Sequence, residues 1–141
     1  ERDAWVQALS SAVNASIEPQ VLVAHSLGCA LTVWWAAMGM PGVDDKRRVK
    51  AAMLVAPPDV NRPEFPAPSF SPMPTGSLPF PSLVVASDND PWCELSVSEG
   101  WAKSWGAKFH QIGAKGHING ESGLGAWEQG QDWLATLSHC F

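Results

Sequence analysis

Three short apolar runs punctuate the chain: "QVLVAH" at 20–25, "VKAAMLVA" at 49–56 and "SLVVAS" at 82–87. A fourth and weaker one, "AKFHQIG", occupies 107–113. The first three are continuous rather than alternating, the pattern of strands buried on both faces. Between the runs the period changes to that of a helix. Over residues 3–14, Trp5, Leu9, Ala12 and Val13 share one face, and Pro19 closes the segment. From Leu27 to Met38 a stripe of Leu27, Leu31, Trp34, Trp35 and Met38 is stopped by Gly39 and Pro41. "SVSE", Ser96 to Glu99, reads as a capping box opening a helix with Val97, Trp101 and Trp105 on one face and Gly106 at its end. A last helix is expected over 126–138, with Trp127, Gly130, Trp133, Leu134 and Leu137 inward.

Residues 57–81 break the pattern and hold most of the chain's twelve prolines. Each proline inside a helix costs about 3 kcal/mol, so no helix is expected there. Irregular connections of this length are uncommon in compact domains and often functional. Four strands joined by crossovers too long for hairpins make a parallel sheet with flanking helices, an α/β fold with no separate cap domain. At 141 residues, with no internal repeat and no linker, residues 1–141 read as one domain.

Charge and cysteine content narrow the partners. The net charge is −5, and the one basic cluster, Lys46, Arg47, Arg48 and Lys50, directly follows Asp44 and Asp45. Nucleic acid and anionic membrane surfaces need clustered Lys and Arg, so neither is expected as a partner. No apolar run approaches the roughly 20 residues that span a bilayer. Three cysteines, Cys29, Cys93 and Cys140, show no CxxC or Cys/His spacing. A reduced, cytoplasmic chain with neither metal nor cofactor is the simplest reading. No phosphate-binding glycine motif follows any strand, which argues against a nucleotide-binding domain.

The candidate chemistry starts at "AHSLG", 24–28, where Ser26 stands between a strand and a helix. A serine in that place either caps the helix or acts as a nucleophile. As a nucleophile it needs a base to take its proton and a third group to orient that base. In a parallel sheet the C-terminal strand ends share one rim, so groups following different strands can meet. Asp88 and Asp90 follow the third strand in "SDNDPW", and His117 follows the fourth in "KGHING". The order Ser, Asp, His is that of α/β-hydrolases. Asp90 is preferred over Asp88 because Pro91 forces it into an extended conformation. His25 is expected to point away from Ser26, and His110 lies within a strand. The elbow pattern G-x-S-x-G is met at Gly28, with Ala24 replacing the first glycine; small residues are expected where strand and helix backbones pass close. The Leu27 N–H is a candidate oxyanion donor, and Asn119 and Glu121 are candidate substrate contacts.

On "VLVAHSLGCALTVWWAA", "LVAPPDVNRPEF", "LPFPSLVVASDNDPWC" and "WGAKFHQIGAKGHINGESGLGAWEQG" the chain resembles the compact serine hydrolases of the YdeN / retinoblastoma-binding-protein-like type, within the α/β-hydrolase superfamily. The resemblance implies an α/β-hydrolase fold, with nucleophile, acid and base carried onto Ser26, Asp90 and His117. Such proteins begin with a strand, a glycine-containing loop and a helix that have no counterpart in this sequence, so an N-terminally truncated chain is expected. Two consequences are expected from that: an exposed edge beside the Ser26 strand, open to self-association, and loss of one oxyanion donor, worth roughly 10²–10³ in rate. The function expected is hydrolysis of a small ester or amide. An interaction module that keeps the three residues without turnover is the alternative.

Overall fold

The computed structural model describes residues 1–118 of the chain. The helix expected over 126–138 and Cys140 lie outside them. Helix α1 (Arg2–Asn14) leads into strand β1 (Gln20–His25), helix α2 (Leu27–Ala37), strands β2 (Val49–Val55) and β3 (Ser82–Ala86), helix α3 (Leu95–Trp105) and strand β4 (Lys108–Gln111). The strands pair side by side in chain order, all parallel. The α/β parallel sheet with flanking helices is therefore as the apolar runs predict. Among the described residues no helix is long and apolar enough to cross a membrane.

Strands β2 and β3 are buried on both faces. Ala52, Leu54 and Val84 join one apolar cluster with side chains of α1, α2 and α3, while Ala51, Met53, Val55, Leu83 and Val85 form a second cluster on the opposite face. Strand β1 departs from the expectation of two buried faces. One face carries Val23, 57% exposed, and among the described residues β1 lies at the edge of the sheet, as the family resemblance implies. A run of valines is the same whether its strand is central or at the rim, so composition could not separate the two.

The helices form where the periodicity puts them, but two present other faces. In α1 the buried residues are Val6, Ser10 and Val13, whereas Trp5 and Ala12 are exposed. Ser10 is tolerated inside because its hydroxyl donates to the Pro41 carbonyl and accepts the Trp35 indole N–H. Helix α2 buries Cys29, Ala30, Thr32, Val33 and Trp35, leaves Leu27, Leu31 and Trp34 partly covered, and exposes Met38. It packs against β1, α1 and the turn at Pro68–Phe70, so it is apolar on several sides and no single stripe marks the sheet. Its tryptophans face those neighbours: Trp35 bonds Ser10 of α1, and Trp34 donates to the Phe70 carbonyl beneath the Arg2 guanidinium.

Helix α3 starts one residue before the expected capping box. Its N-cap is Glu94, with no side-chain capping bond, and Ser98 instead bonds back to the carbonyls of Glu94 and Leu95. Gly106 ends the helix with φ +70°, the left-handed turn that favours glycine. Strand β4 is shorter than the 107–113 run. The proline-rich crossover contains one 3₁₀ turn, Pro68–Phe70, and no α-helix. It nevertheless contributes Val60, Phe65, Ala67, Phe70, Met73 and Phe80 to the same cluster as the helices. Apolar side chains spaced by prolines cover the sheet where a helix would otherwise lie.

Candidate active site

Parallel pairing puts the loops after β1, β3 and β4 on one rim of the sheet, and each carries one of the three predicted groups. Ser26 closes β1 and precedes α2 with φ +57° and ψ −125°. A non-glycine residue in such a region costs about 1–3 kcal/mol and persists only when its surroundings hold it there. Two bonds do so. Ser26 N–H donates to the Val55 carbonyl at 2.9 Å, and its own carbonyl accepts the Cys29 N–H at 2.8 Å.

The Ser26 hydroxyl makes no capping bond to α2. It lies 2.7 Å from His117 Nε2, while His117 Nδ1 lies 2.8 and 3.0 Å from the two carboxylate oxygens of Asp90. An ionised carboxylate only accepts hydrogen bonds, so Nδ1 carries the imidazole proton and Nε2 accepts from the serine. Asp90 is almost fully buried, its side chain 4% exposed, and also accepts the Trp92 N–H at 2.9 Å. The loop after β4 turns sharply around His117, with positive φ at Gly116 and Ile118.

Asp88 is placed elsewhere. It is exposed, and its backbone N–H donates to the Gly113 carbonyl. His25 does not point clear of the site as expected. Its Nε2–H donates to the His117 carbonyl at 2.9 Å, and the two rings are 5.1 Å apart. A residue one position before a turn is hard to orient from sequence, because the strained backbone at Ser26 redirects its neighbours. Leu27 is the first residue of α2, so its N–H belongs to the first turn, where amides lack intrahelical acceptors. Asn119 and Glu121 lie outside the described residues.

Ala24 fits where the motif has glycine. A Cβ built on Gly28 would stand 3.6 Å from the Ala24 Cβ, an ordinary van der Waals contact. The closeness expected to demand glycine at 28 is thus looser than the motif implies. Beneath the turn, the Cys29 thiol faces the Val55 and Ala24 carbonyls; full burial pushes its pKa far above the usual thiol value. It is a packing residue, not a second nucleophile.

Two groups that sequence reading passed over hold the rim. Asn89 accepts the Gly116 N–H at 2.8 Å, and Ser87 accepts the Lys115 N–H at 3.0 Å. Their only sequence signal is position in a polar loop after a strand. Outside the polar groups, a cleft of about 440 Å³ is lined by Ser26, Leu27, Phe65, Pro66, Ala67, Trp92 and His117, with Glu1 at its side.

Residues 1–136 match the family model described as serine hydrolase. Among solved structures, the chain is similar to a protein of Pectobacterium atrosepticum described as a YdeN-like hydrolase, with 31% identity and a TM-score of 0.84 over 99% of this chain and 70% of that one. It is also similar to a protein of Xanthomonas campestris described as a hydrolase of the α/β superfamily, at 19% identity and TM-score 0.66, covering 96% and 69% of the two chains. A Bacillus cereus carboxylesterase matches at 17% identity and TM-score 0.60, covering 94% and 59%. At such identities the last two bear on the fold alone. No curated protein matches the chain. Family match and structural likeness agree: the chain belongs to the serine hydrolase family and is a YdeN-like enzyme of α/β-hydrolase fold.

Proposed function

We propose that this enzyme cleaves a small ester or amide through an acyl-enzyme on Ser26, with His117 as base and Asp90 as its orienting acid. The observation that carries the reading is the continuous bond path from the Ser26 hydroxyl through both imidazole nitrogens to the Asp90 carboxylate, at 2.7 and 2.8 Å. Ser26 Oγ attacks the substrate carbonyl carbon while its proton passes to His117 Nε2. Asp90 stabilises the resulting imidazolium without taking its proton. The Leu27 N–H, at the positive end of α2, is the donor assigned to the oxygen that gains charge. Collapse of the tetrahedral intermediate breaks the C–O or C–N bond, and His117 returns the proton to the leaving alcohol or amine. Water, deprotonated by His117, then attacks the acyl carbon. The acid product leaves and the proton returns to Ser26.

The reading is tested with a fluorophosphonate probe and a panel of acyl esters and aminoacyl amides, run on wild type and Ser26→Ala. Labelling and turnover by wild type, both abolished in the variant, support it. A folded wild type that neither labels nor turns over any member of the panel overturns it in favour of an interaction module.

A further inference from the structure

Strand β3 and the proline-rich crossover place two aromatic rings beside the reacting groups. Phe65 and Trp92 meet edge to face, with ring centroids 5.9 Å apart and planes at 86°. Trp92 is also 6.5 Å from the His117 ring. The pair is held by backbone bonds between the two loops that carry it. Asp59 N–H donates to the Trp92 carbonyl at 2.8 Å, and Arg62 Nη1 donates to the Pro91 carbonyl at 2.7 Å. Phe65 N–H donates to the Arg62 carbonyl at 3.0 Å, and Arg62 pairs with the Asp59 carboxylate. The corner is fixed before substrate arrives, so little ordering is needed on binding.

We infer that Phe65 and Trp92 are specificity-determining residues that select substrates whose group next to the scissile carbonyl is uncharged and apolar; this rests on Ser26 being the nucleophile. Among the described residues, the rest of the wall beyond Ser26 and His117 is Leu27, Pro66 and Ala67, with Glu1 at its side. An anionic substituent would leave water and find no Lys or Arg among the described lining residues. An alkyl or aryl group loses only apolar surface to water and gains by it. A cleft of about 440 Å³ is near the small end of ligand sites, which favours short chains.

The test compares two series of esters. In the first, p-nitrophenyl acetate, butyrate, hexanoate and hemisuccinate vary the acyl side. In the second, ethyl, butyl and hexyl acetate vary the alcohol side. In wild type, kcat/KM is expected to rise roughly fourfold per added methylene in one series, which tells which side of the bond the corner holds. Where the acyl series is the one that rises, the hemisuccinate is expected to fall at least roughly tenfold below the butyrate. In Trp92→Ala, and separately in Phe65→Leu, the rise is expected to drop below roughly twofold per methylene. The readout is the ratio of long to short chain within one variant, so a general loss of activity cancels. Trp92 is 40% exposed and its replacement leaves the core intact.

Equal chain-length ratios in wild type and both variants, or a rising acyl series with hemisuccinate turned over as well as butyrate, would overturn the assignment. Those outcomes leave acetate turnover and fluorophosphonate labelling in place. If the nucleophile reading itself fails, turnover and labelling both vanish, and the assignment goes with it.

Discussion

Asn89 Oδ1 accepts the backbone N–H of Gly116 at 2.8 Å, binding the loop that carries Asp90 to the loop that carries His117. The same oxygen accepts the Ser87 hydroxyl, and Ser87 Oγ in turn accepts the Lys115 N–H. Two short side chains thus hold consecutive amides immediately before the imidazole. Displacing a catalytic group by about 1 Å can cost on the order of 10²-fold in rate. Asn89→Ala is expected to lower kcat by roughly 10–100-fold with KM little changed. Asn89→Asp, which keeps an accepting oxygen, should recover most of that loss. Steady-state kinetics on one ester checks both variants, and an unaltered kcat in Asn89→Ala would remove Asn89 from any positioning role.

The two aspartates of "SDNDPW" are expected to separate sharply. Asp90 touches His117 Nδ1 from a nearly buried position, whereas Asp88 is exposed. An amide in place of the orienting acid favours the wrong imidazole tautomer. Asp90→Asn should therefore cost roughly 10³–10⁴ in kcat, with Asp88→Asn within about twofold of wild type. Finding the larger loss at Asp88 would reassign the acid.

Gly28 offers a test of how tight the turn is. It lies in the first turn of α2 without a positive φ, and among the described residues a methyl group there meets only Ala24. Gly28→Ala is expected to fold with stability equal to wild type or up to about 1 kcal/mol higher, since alanine is the better helix residue. Thermal unfolding measures it. A drop of several degrees in Tm would show that the backbone approach is closer than this geometry allows.

Alkaline stability is expected to depend on Cys93. The thiol is buried, which pushes its pKa from the ordinary 9.0 up to about 12, helped by the nearby Asp59 carboxylate. Below pH 9 both folded and unfolded forms keep the proton, so the full stability is present. Between pH 9 and about 12 only the unfolded chain ionises, and stability falls as pH rises. By pH 10.5 the loss due to this thiol is about 2 kcal/mol. Denaturant melts at pH 8 and pH 10.5 should show a smaller decline in Cys93→Ala than in wild type. Identical declines would mean that Cys93 ionises equally easily in both states.

Much of this molecule is legible along the chain, because its signals are local. The continuous valine and alanine runs of β2 and β3 mark strands sealed on both sides, and a glycine at 106 marks where α3 turns back. The serine between a strand and a helix, with an acid and a histidine after later strands, is equally plain, since parallel pairing brings successive strand ends to one rim. Other features depend on what each element meets after folding. The edge position of β1 is legible only through the family resemblance, and nothing local says that the tryptophans of α2 turn toward Ser10 and Phe70 rather than the sheet. Nothing local turns His25 toward the His117 carbonyl or makes Asn89 the bracket beneath it. Periodicity reports that a surface is apolar or a loop polar. Only the arrival of a partner from a distant part of the chain determines which atom that surface or loop will touch.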